Sequence, residues 1–196
     1  MNSKNRSAWR VIDIVTASVL GVACGLIFWV WNILGYAGFT ALDTLTPGLG
    51  GLVAGVWLLG GVLGGLVIRK PGAAIFVEVV AAIVSALLGN QWGITTIYSG
   101  LAQGLGAELI FLLFAYRRFG LPTAVLAGIG SAVGAFVLEL FMSGNLAKTL
   151  QFNLIYLVCL VISGAILAGI LGWVLVRALA RAGVLDRFAA GRQQRV

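Results

Sequence analysis

The sequence predicts an all-α integral membrane protein: six transmembrane helices in one bundle, with both termini in the cytoplasm. Three observations carry this. Of 196 residues, 61% are hydrophobic and only 10% are charged, against roughly 25% charged in soluble domains. The apolar residues fall in runs near or above the roughly 20 that cross a bilayer. The basic residues, with one exception, fall in alternate connections.

The first run, residues 11–36, carries one charge, Asp13, near its start. A basic start (Lys4, Arg6, Arg10) precedes it. The run is too long for a signal-peptide core of about 7–15 residues, so it reads as a retained span. Residues 40–47 are polar and turn-prone, with Asp43, Thr44, Thr46 and Pro47. The second run, 48–68, ends at Arg69-Lys70-Pro71. The third, 72–88, contains Glu78 and breaks at Gly89-Asn90-Gln91-Trp92-Gly93. The fourth, 94–116, contains Gln103 and Glu108 and closes at Arg117-Arg118. The fifth, Leu121–Met142, has Glu139 near its end. Residues 143–151 form a polar link, and 152–176 is the sixth run. The expected division is one domain over 1–180 and a basic cytoplasmic tail over 181–196, lying along the membrane. Helices follow because a backbone in hydrocarbon must satisfy its own hydrogen bonds, and barrel alternation is absent.

Lys4, Arg6, Arg10, Arg69, Lys70, Arg117, Arg118, Arg177, Arg181, Arg187, Arg192 and Arg195 share one side of a six-span arrangement; Lys148 alone falls opposite. The positive-inside rule makes the crowded side cytoplasmic. It also accounts for the net charge of +7 without a nucleic-acid partner. The chain has no histidine, which removes His-based acid–base chemistry and most zinc or haem sites. No nucleophile–base pair and no strand–loop–helix phosphate motif is visible, so no catalytic residue, metal or cofactor is expected. Cys24 and Cys159 lie in apolar runs and read as buried thiols.

Many of the 28 glycines recur at spacing four: Gly51/Gly55, Gly60/Gly64, Gly61/Gly65, Gly100/Gly104, Gly130/Gly134. Small residues let helices approach closely in lipid. Most should serve internal packing. The stripe Ala17, Gly21, Gly25 on the first helix is the best candidate for docking a second membrane protein.

Three carboxylates, Glu78, Glu108 and Glu139, lie inside runs, where an acid costs about 2.5–3.5 kcal/mol. Glu139 should lie near the outer surface, Glu108 in the middle of its span, and Glu78 near the middle or in the cytoplasmic half of its own. Polar and aromatic residues gather on the outer side: Asn90, Gln91, Trp92, Tyr98 and Gln103 around the fourth span, Asn153 and Tyr156 at the start of the sixth. Aromatic walls, amides and a carboxylate suit a small aromatic cation. Trp92 reads equally as interfacial belt, and Glu108 equally as a buried structural acid.

Two stretches resemble the YkoE family. One is Pro71-Gly72-Ala73-Ala74, then Glu78, Ala81-Ala82 and Leu87-Leu88-Gly89-Asn90-Gln91-Trp92-Gly93. The other is Gln103-Gly104-Leu105-Gly106-Ala107-Glu108-Leu109, with Phe111 and Tyr116-Arg117-Arg118. These are substrate-binding S components of energy-coupling-factor (ECF) transporters for thiamine or its hydroxymethylpyrimidine precursor. The resemblance implies the S-component bundle, a vitamin bound near the outer face, and no enzymatic activity in this chain. It also implies a transmembrane coupling subunit and two cytoplasmic ATPases as partners, docked partly through Ala17-xxx-Gly21. Location in the cell membrane follows. On this reading Trp92 and Tyr98 stack on a ring, Glu139 or Glu108 pairs with the aminopyrimidine or the cation, Asn90, Gln91 and Gln103 orient it, and Asn153 and Tyr156 close the site. Two other readings remain open: a proton-coupled secondary transporter of a small cation, and a non-transporting membrane scaffold.

Overall fold

The computed structural model describes residues 8–192, which are helical and contain no strand. Lys4, Arg6 and Arg195, counted in the charge pattern, lie outside the described residues. Helix α1 spans Val11–Leu45, well past the expected end at 36. The reason is local. Thr40 Oγ1 donates to the carbonyls of Tyr36 (3.1 Å) and Ala37 (3.0 Å), and Thr44 Oγ1 donates to Thr40 O at 2.7 Å. Their hydroxyls are satisfied within the helix, so a polar stretch continues it. The helix stops before Pro47, where Thr46 is extended (φ −151°) as a residue preceding proline prefers.

Helix α2, Leu49–Ile68, has two halves. Leu49–Leu58 is 3₁₀ and Leu59–Ile68 is α-helical. Ten residues is long for a 3₁₀ segment. Asp43 Oδ1 accepts from Gly48 N (2.9 Å) and Gly50 N (3.1 Å) at its start. Its glycines press on the last helix, α6 (Leu150–Arg181): a Cβ on Gly51 would lie 2.9 Å from Leu160 N. Ser163 Oγ accepts from Gly55 N at 2.7 Å.

Helix α3, Ala73–Leu87, has 15 residues, about 22 Å at 1.5 Å per residue. That is shorter than a hydrocarbon core of about 30 Å. Among the described residues five helices are long and apolar enough to cross a bilayer, and α3 is a shorter apolar one. It sits between α1 and α4 (Thr95–Leu113). The stripe Ala17, Gly21, Gly25 is buried here: a Cβ on Gly21 would meet Val80 at 2.6 Å, and one on Gly25 would meet Val84 at 2.6 Å. The expected docking stripe is therefore already filled by α3 inside the bundle.

Helix α5 spans Leu121–Met142, with the expected bounds. It crosses α4 where Gly106 and Gly130 touch backbone to backbone. In α6, residues Gly164–Ile170 form a π-helical stretch, and Gly164 packs on the backbone of Gly128 in α5. The described part of the tail, up to residue 192, packs on the bundle. Beyond Arg181 it turns, and Leu185, Phe188 and Ala190 are buried against the bundle. Cys24 and Cys159 are free and buried.

The topology gives the bundle two ends. One gathers the turns after α1, α3 and α5. The other gathers the start of α1, the α2–α3 and α4–α5 connections, the end of α6, and the described basic residues except Lys148.

Candidate functional site

A cavity of about 470 Å³ opens at the end formed by the turns after α1, α3 and α5. That is within the range of small-molecule sites, about 300–1,000 Å³. Phe28, Asn32, Tyr36 and Phe39 line it from α1, and Trp57 from α2. Glu78 and Ser85 contribute from α3, Ser99 and Gln103 from α4, Glu139 from α5, and Phe152 and Tyr156 from α6. Trp92 and Lys148 come from the turns.

The deepest polar group is Glu78, fully buried. Its Oε2 accepts from the amide of Gly61, in the first turn after the 3₁₀-to-α change in α2. Amides of a first helical turn lack intrahelical carbonyls, so a carboxylate there answers a backbone need. Gln103 completes the arrangement. With its oxygen accepting from Ser99 Oγ (2.8 Å), its nitrogen donates to Glu78 Oε1 and to the Trp57 carbonyl, each at 3.1 Å. This orientation is assigned from the hydrogen-bond network. The irregular backbone of α2 is thus served by one acid and one amide from neighbouring helices.

Above this floor, Trp57 Nε1 donates to Asn32 Oδ1 at 2.8 Å, and Asn32 Nδ2 donates to Ser85 Oγ at 2.9 Å. Asn32 fixes the indole of Trp57. Trp92 then meets two rings edge-on: Trp57 at 5.6 Å and 84°, and Tyr36 at 5.4 Å and 89°. Such T-shaped pairs favour defined ring orientations. On the other wall Tyr156 stacks on Phe152 (5.8 Å), and Glu139 shares the lining with them. Lys148 Nζ lies 4.0 Å from the Phe152 ring centroid and within electrostatic reach of Glu139. Glu139 Oε2 has no hydrogen-bond partner among the described residues, and neither has the buried Oδ1 of Asn145 beside it in the lining.

Of the residues singled out in the sequence, the cavity brings together Glu78, Trp92, Gln103, Glu139 and Tyr156. It does not include Asn90, Gln91, Tyr98, Asn153 or Glu108. Asn90 Oδ1 accepts from Trp92 N (3.0 Å) and Gly93 N (2.8 Å), so it shapes the turn that carries Trp92. Gln91 is exposed, and Tyr98 is 50% exposed. Asn153 Nδ2 donates to Asn145 O at 2.8 Å, fastening the turn before α6. Glu108 lies at the opposite end. It accepts from Gly72 N (2.6 Å), Ala74 N (2.9 Å) and the Tyr116 hydroxyl (2.6 Å). It caps the start of α3 and ties down the chain after α4. Burial, and then the bond to Glu108, raise Tyr116 above its ordinary phenol pKa. Asn32, Tyr36, Phe39, Trp57 and Lys148 were not singled out for the site. The available signal was Asn32, a lone amide inside an apolar run.

A helical membrane bundle with one aromatic and polar cavity at one end is the architecture of a substrate-binding membrane subunit. Comparison with known proteins agrees. Residues 12–134 match the family described as ABC-type cobalt transport system, permease component. A protein of Bacillus subtilis (strain 168), named HMP/thiamine permease protein YkoE, is 39% identical over 191 residues, covering 95% of this chain and 92% of that one. A crystal structure of an S-component of an ECF transporter superposes with a TM-score of 0.82 at 35% identity, covering 96% of this chain and 94% of the other. The chain belongs to the YkoE family of ECF S components. It is a multi-pass membrane subunit of a transporter, not an enzyme. Indoles, amides, hydroxyls and carboxylates suit an organic ligand.

Proposed function

We propose that this chain captures thiamine, or its hydroxymethylpyrimidine precursor, in the cavity at the outer face. The observation that carries this is the cluster of Tyr36, Trp57 and Trp92 in one cavity lining with Glu139, whose Oε2 has no hydrogen-bond partner among the described residues, in a chain 39% identical to a protein named HMP/thiamine permease. Thiamine offers a fixed cationic ring and an aminopyrimidine. The aromatic faces favour the cation, and Glu139 accepts from the amino group. Trp92 stacks on a ring, Gln103 and Glu78 set the floor, and Tyr156 closes the side. Asn90 and Asn153 act by shaping the turns that carry the lining. Gln91, Tyr98 and Glu108 have no direct ligand contact in this reading.

The orientation follows from charge. Six helices cross the membrane, α3 included, with both termini and the tail 181–196 cytoplasmic and residues 1–180 forming the transporting unit. A transmembrane coupling subunit and two cytoplasmic ATPases supply the reorientation and the energy. With the Ala17–Gly25 stripe covered by α3, the coupling subunit meets another surface. The outward-facing residues of α1, such as Val15, Val19 and Val22, offer one.

Isothermal titration of the purified chain with thiamine and with hydroxymethylpyrimidine tests the reading. Saturable binding of one of them, weakened in Glu139→Gln and kept in Glu108→Gln, supports it. Binding of neither overturns it.

A further inference from the structure

The link between α5 and α6, residues 143–151, reverses the usual order of burial. Leu146 is 62% exposed, and the residue buried in this link is Asn145, at 4%. A buried amide is ordinarily held by hydrogen bonds of its own. Here the backbone is held and the side-chain oxygen is not. Gly144 takes the left-handed turn (φ 67°), and Asn145 opens a short 3₁₀ segment. The Asn145 carbonyl accepts from Lys148 N at 3.1 Å and from Asn153 Nδ2 at 2.8 Å. Its Oδ1 is buried, has no partner among the described residues, and belongs to a residue lining the outer cavity. Asparagines in turns commonly bond their own backbone. This oxygen takes no amide of its turn.

The other polar groups deep in the lining occupy one another. Asn32 joins Trp57 to Ser85, and Gln103 joins Glu78 to Ser99. Two buried oxygens in the lining have no such partner among the described residues. They are Glu139 Oε2, from the last turn of α5, and Asn145 Oδ1, from the link that follows it. Lys148 serves neither, since its ammonium lies over the Phe152 ring. An unpaired buried acceptor is costly. Two at one corner of a cavity fit a ligand that brings two donors close together. An exocyclic amino group on an aromatic ring does so, because its two N–H bonds diverge in the ring plane.

We infer that Asn145 is a ligand-binding residue that reads the ligand's exocyclic amino group: Asn145 Oδ1 accepts one N–H, and Glu139 Oε2 accepts the other. The inference rests on the aminopyrimidine reading above. It is the same for thiamine and for hydroxymethylpyrimidine, which share that group. With both acceptors in place the amino group makes two hydrogen bonds where Glu139 alone would give one. A site built on such bonds discriminates strongly against an analogue lacking the donor.

The test is titration of the purified full chain with thiamine and with hydroxymethylpyrimidine, each beside its desamino analogue, in which hydrogen replaces the amino group. The parent should favour the amino ligand by roughly a hundredfold, about tenfold for each N–H. In Asn145→Ala, affinity for the amino ligand should fall about tenfold, and affinity for the desamino analogue should not change. A residue that only shapes the turn would weaken both ligands alike and leave their ratio as it was. Leu146→Ala, at the exposed neighbour, should leave both affinities at the parent's values. If Asn145→Ala does not fold, Asn145→Leu, close to asparagine in volume, takes its place with the same expected ratio. A parent preference of about tenfold or less overturns the inference, as does a variant at 145 that keeps the parent's preference. Binding of neither thiamine nor hydroxymethylpyrimidine overturns the function proposed above and this inference with it. Binding with an unchanged preference in Asn145→Ala overturns the role of Asn145 alone.

Discussion

At the basic end of the bundle, Asp13 is fully buried and accepts from Arg10 N at 2.8 Å and Lys70 Nζ at 2.5 Å. Glu108 takes two amides at the start of α3 and the Tyr116 hydroxyl. At the cavity end, Glu139 has one oxygen with no partner among the described residues. Asn145, buried to 4% exposure, has an unpartnered Oδ1 there as well. Glu78 lies between these cases, saturated by the backbone yet lining the cavity. An acid inside a span is a functional signal by default, and these four show what separates function from scaffold. Where a helix start offers free amides, the carboxylate is consumed by folding. Where it lines a cavity among aromatic side chains, one of its oxygens is left without a hydrogen-bond partner among the described residues, as the proposed ligand role requires.

The largest effect should come from the acid that belongs to both regions. Glu78→Ala leaves the Gly61 amide and the Gln103 side chain without their acceptor and opens a void. The expected loss is about 3 kcal/mol or more of stability, read as a lower unfolding midpoint in detergent, with binding lost as well. If the variant is as stable as the parent, the α2 irregularity does not depend on this acid. Trp92→Ala comes next and should do the opposite. It removes a ring at 38% exposure that touches Tyr36 and Trp57 but holds up no helix. Affinity should fall roughly a hundredfold, about 2–3 kcal/mol, with the ligand-free midpoint nearly unchanged.

These expectations rest on features of unequal visibility in the sequence. The apolar runs and the spacing of Arg69-Lys70 and Arg117-Arg118 marked an all-helical multi-pass chain, because hydrocarbon leaves a backbone few choices. The continuation of α1 to Leu45 was hidden, since Thr40 and Thr44 read as turn residues until their hydroxyls find carbonyls one turn back. The 3₁₀ half of α2 was hidden too: its cause is close packing of Gly51 and Gly55 on α6, a contact over a hundred positions away. In the site, Trp92, Glu139, Gln103 and Tyr156 stood out as polar or aromatic residues near one surface. Asn32 and Trp57 did not, because a count of charges passes over an amide and an indole in an apolar run. Glu108 looked like Glu139, because its partners are backbone amides 34 and 36 positions away, which no residue type reveals.

The two glutamates therefore form the sharpest pair. Glu108→Gln should cost about 2 kcal/mol of stability, because a neutral amide accepts more weakly from Gly72, Ala74 and Tyr116 than a carboxylate. Its ligand affinity should equal the parent's once the protein is folded. Glu139→Gln should lose about tenfold in affinity, near 1.4 kcal/mol, with an unfolding midpoint within a degree or two of the parent. The loss should be greater for cationic thiamine than for neutral hydroxymethylpyrimidine, since only the former gains from the charge. Titration and thermal unfolding of both variants place the two acids on opposite axes. If both fall on the same axis, the division between the ends fails.

The smallest change asks how separate the ends are. Tyr116→Phe removes one hydroxyl from Glu108. The backbone at 116 keeps its left-handed turn (φ 53°), because phenylalanine meets the same steric limits as tyrosine. Glu108 keeps its two amides, so the cap on α3 persists. The expected cost is one hydrogen bond, about 1 kcal/mol, seen as a small drop in midpoint with affinity unchanged. Yet α3 runs unbroken from that cap to Ser85, which holds Asn32 and through it Trp57. A rigid helix of 15 residues is a short lever between the two ends. If Tyr116→Phe weakens ligand binding while Glu139→Gln leaves stability alone, then α3 transmits position from the basic end to the cage. The cap would then be part of how the subunit reads its partner.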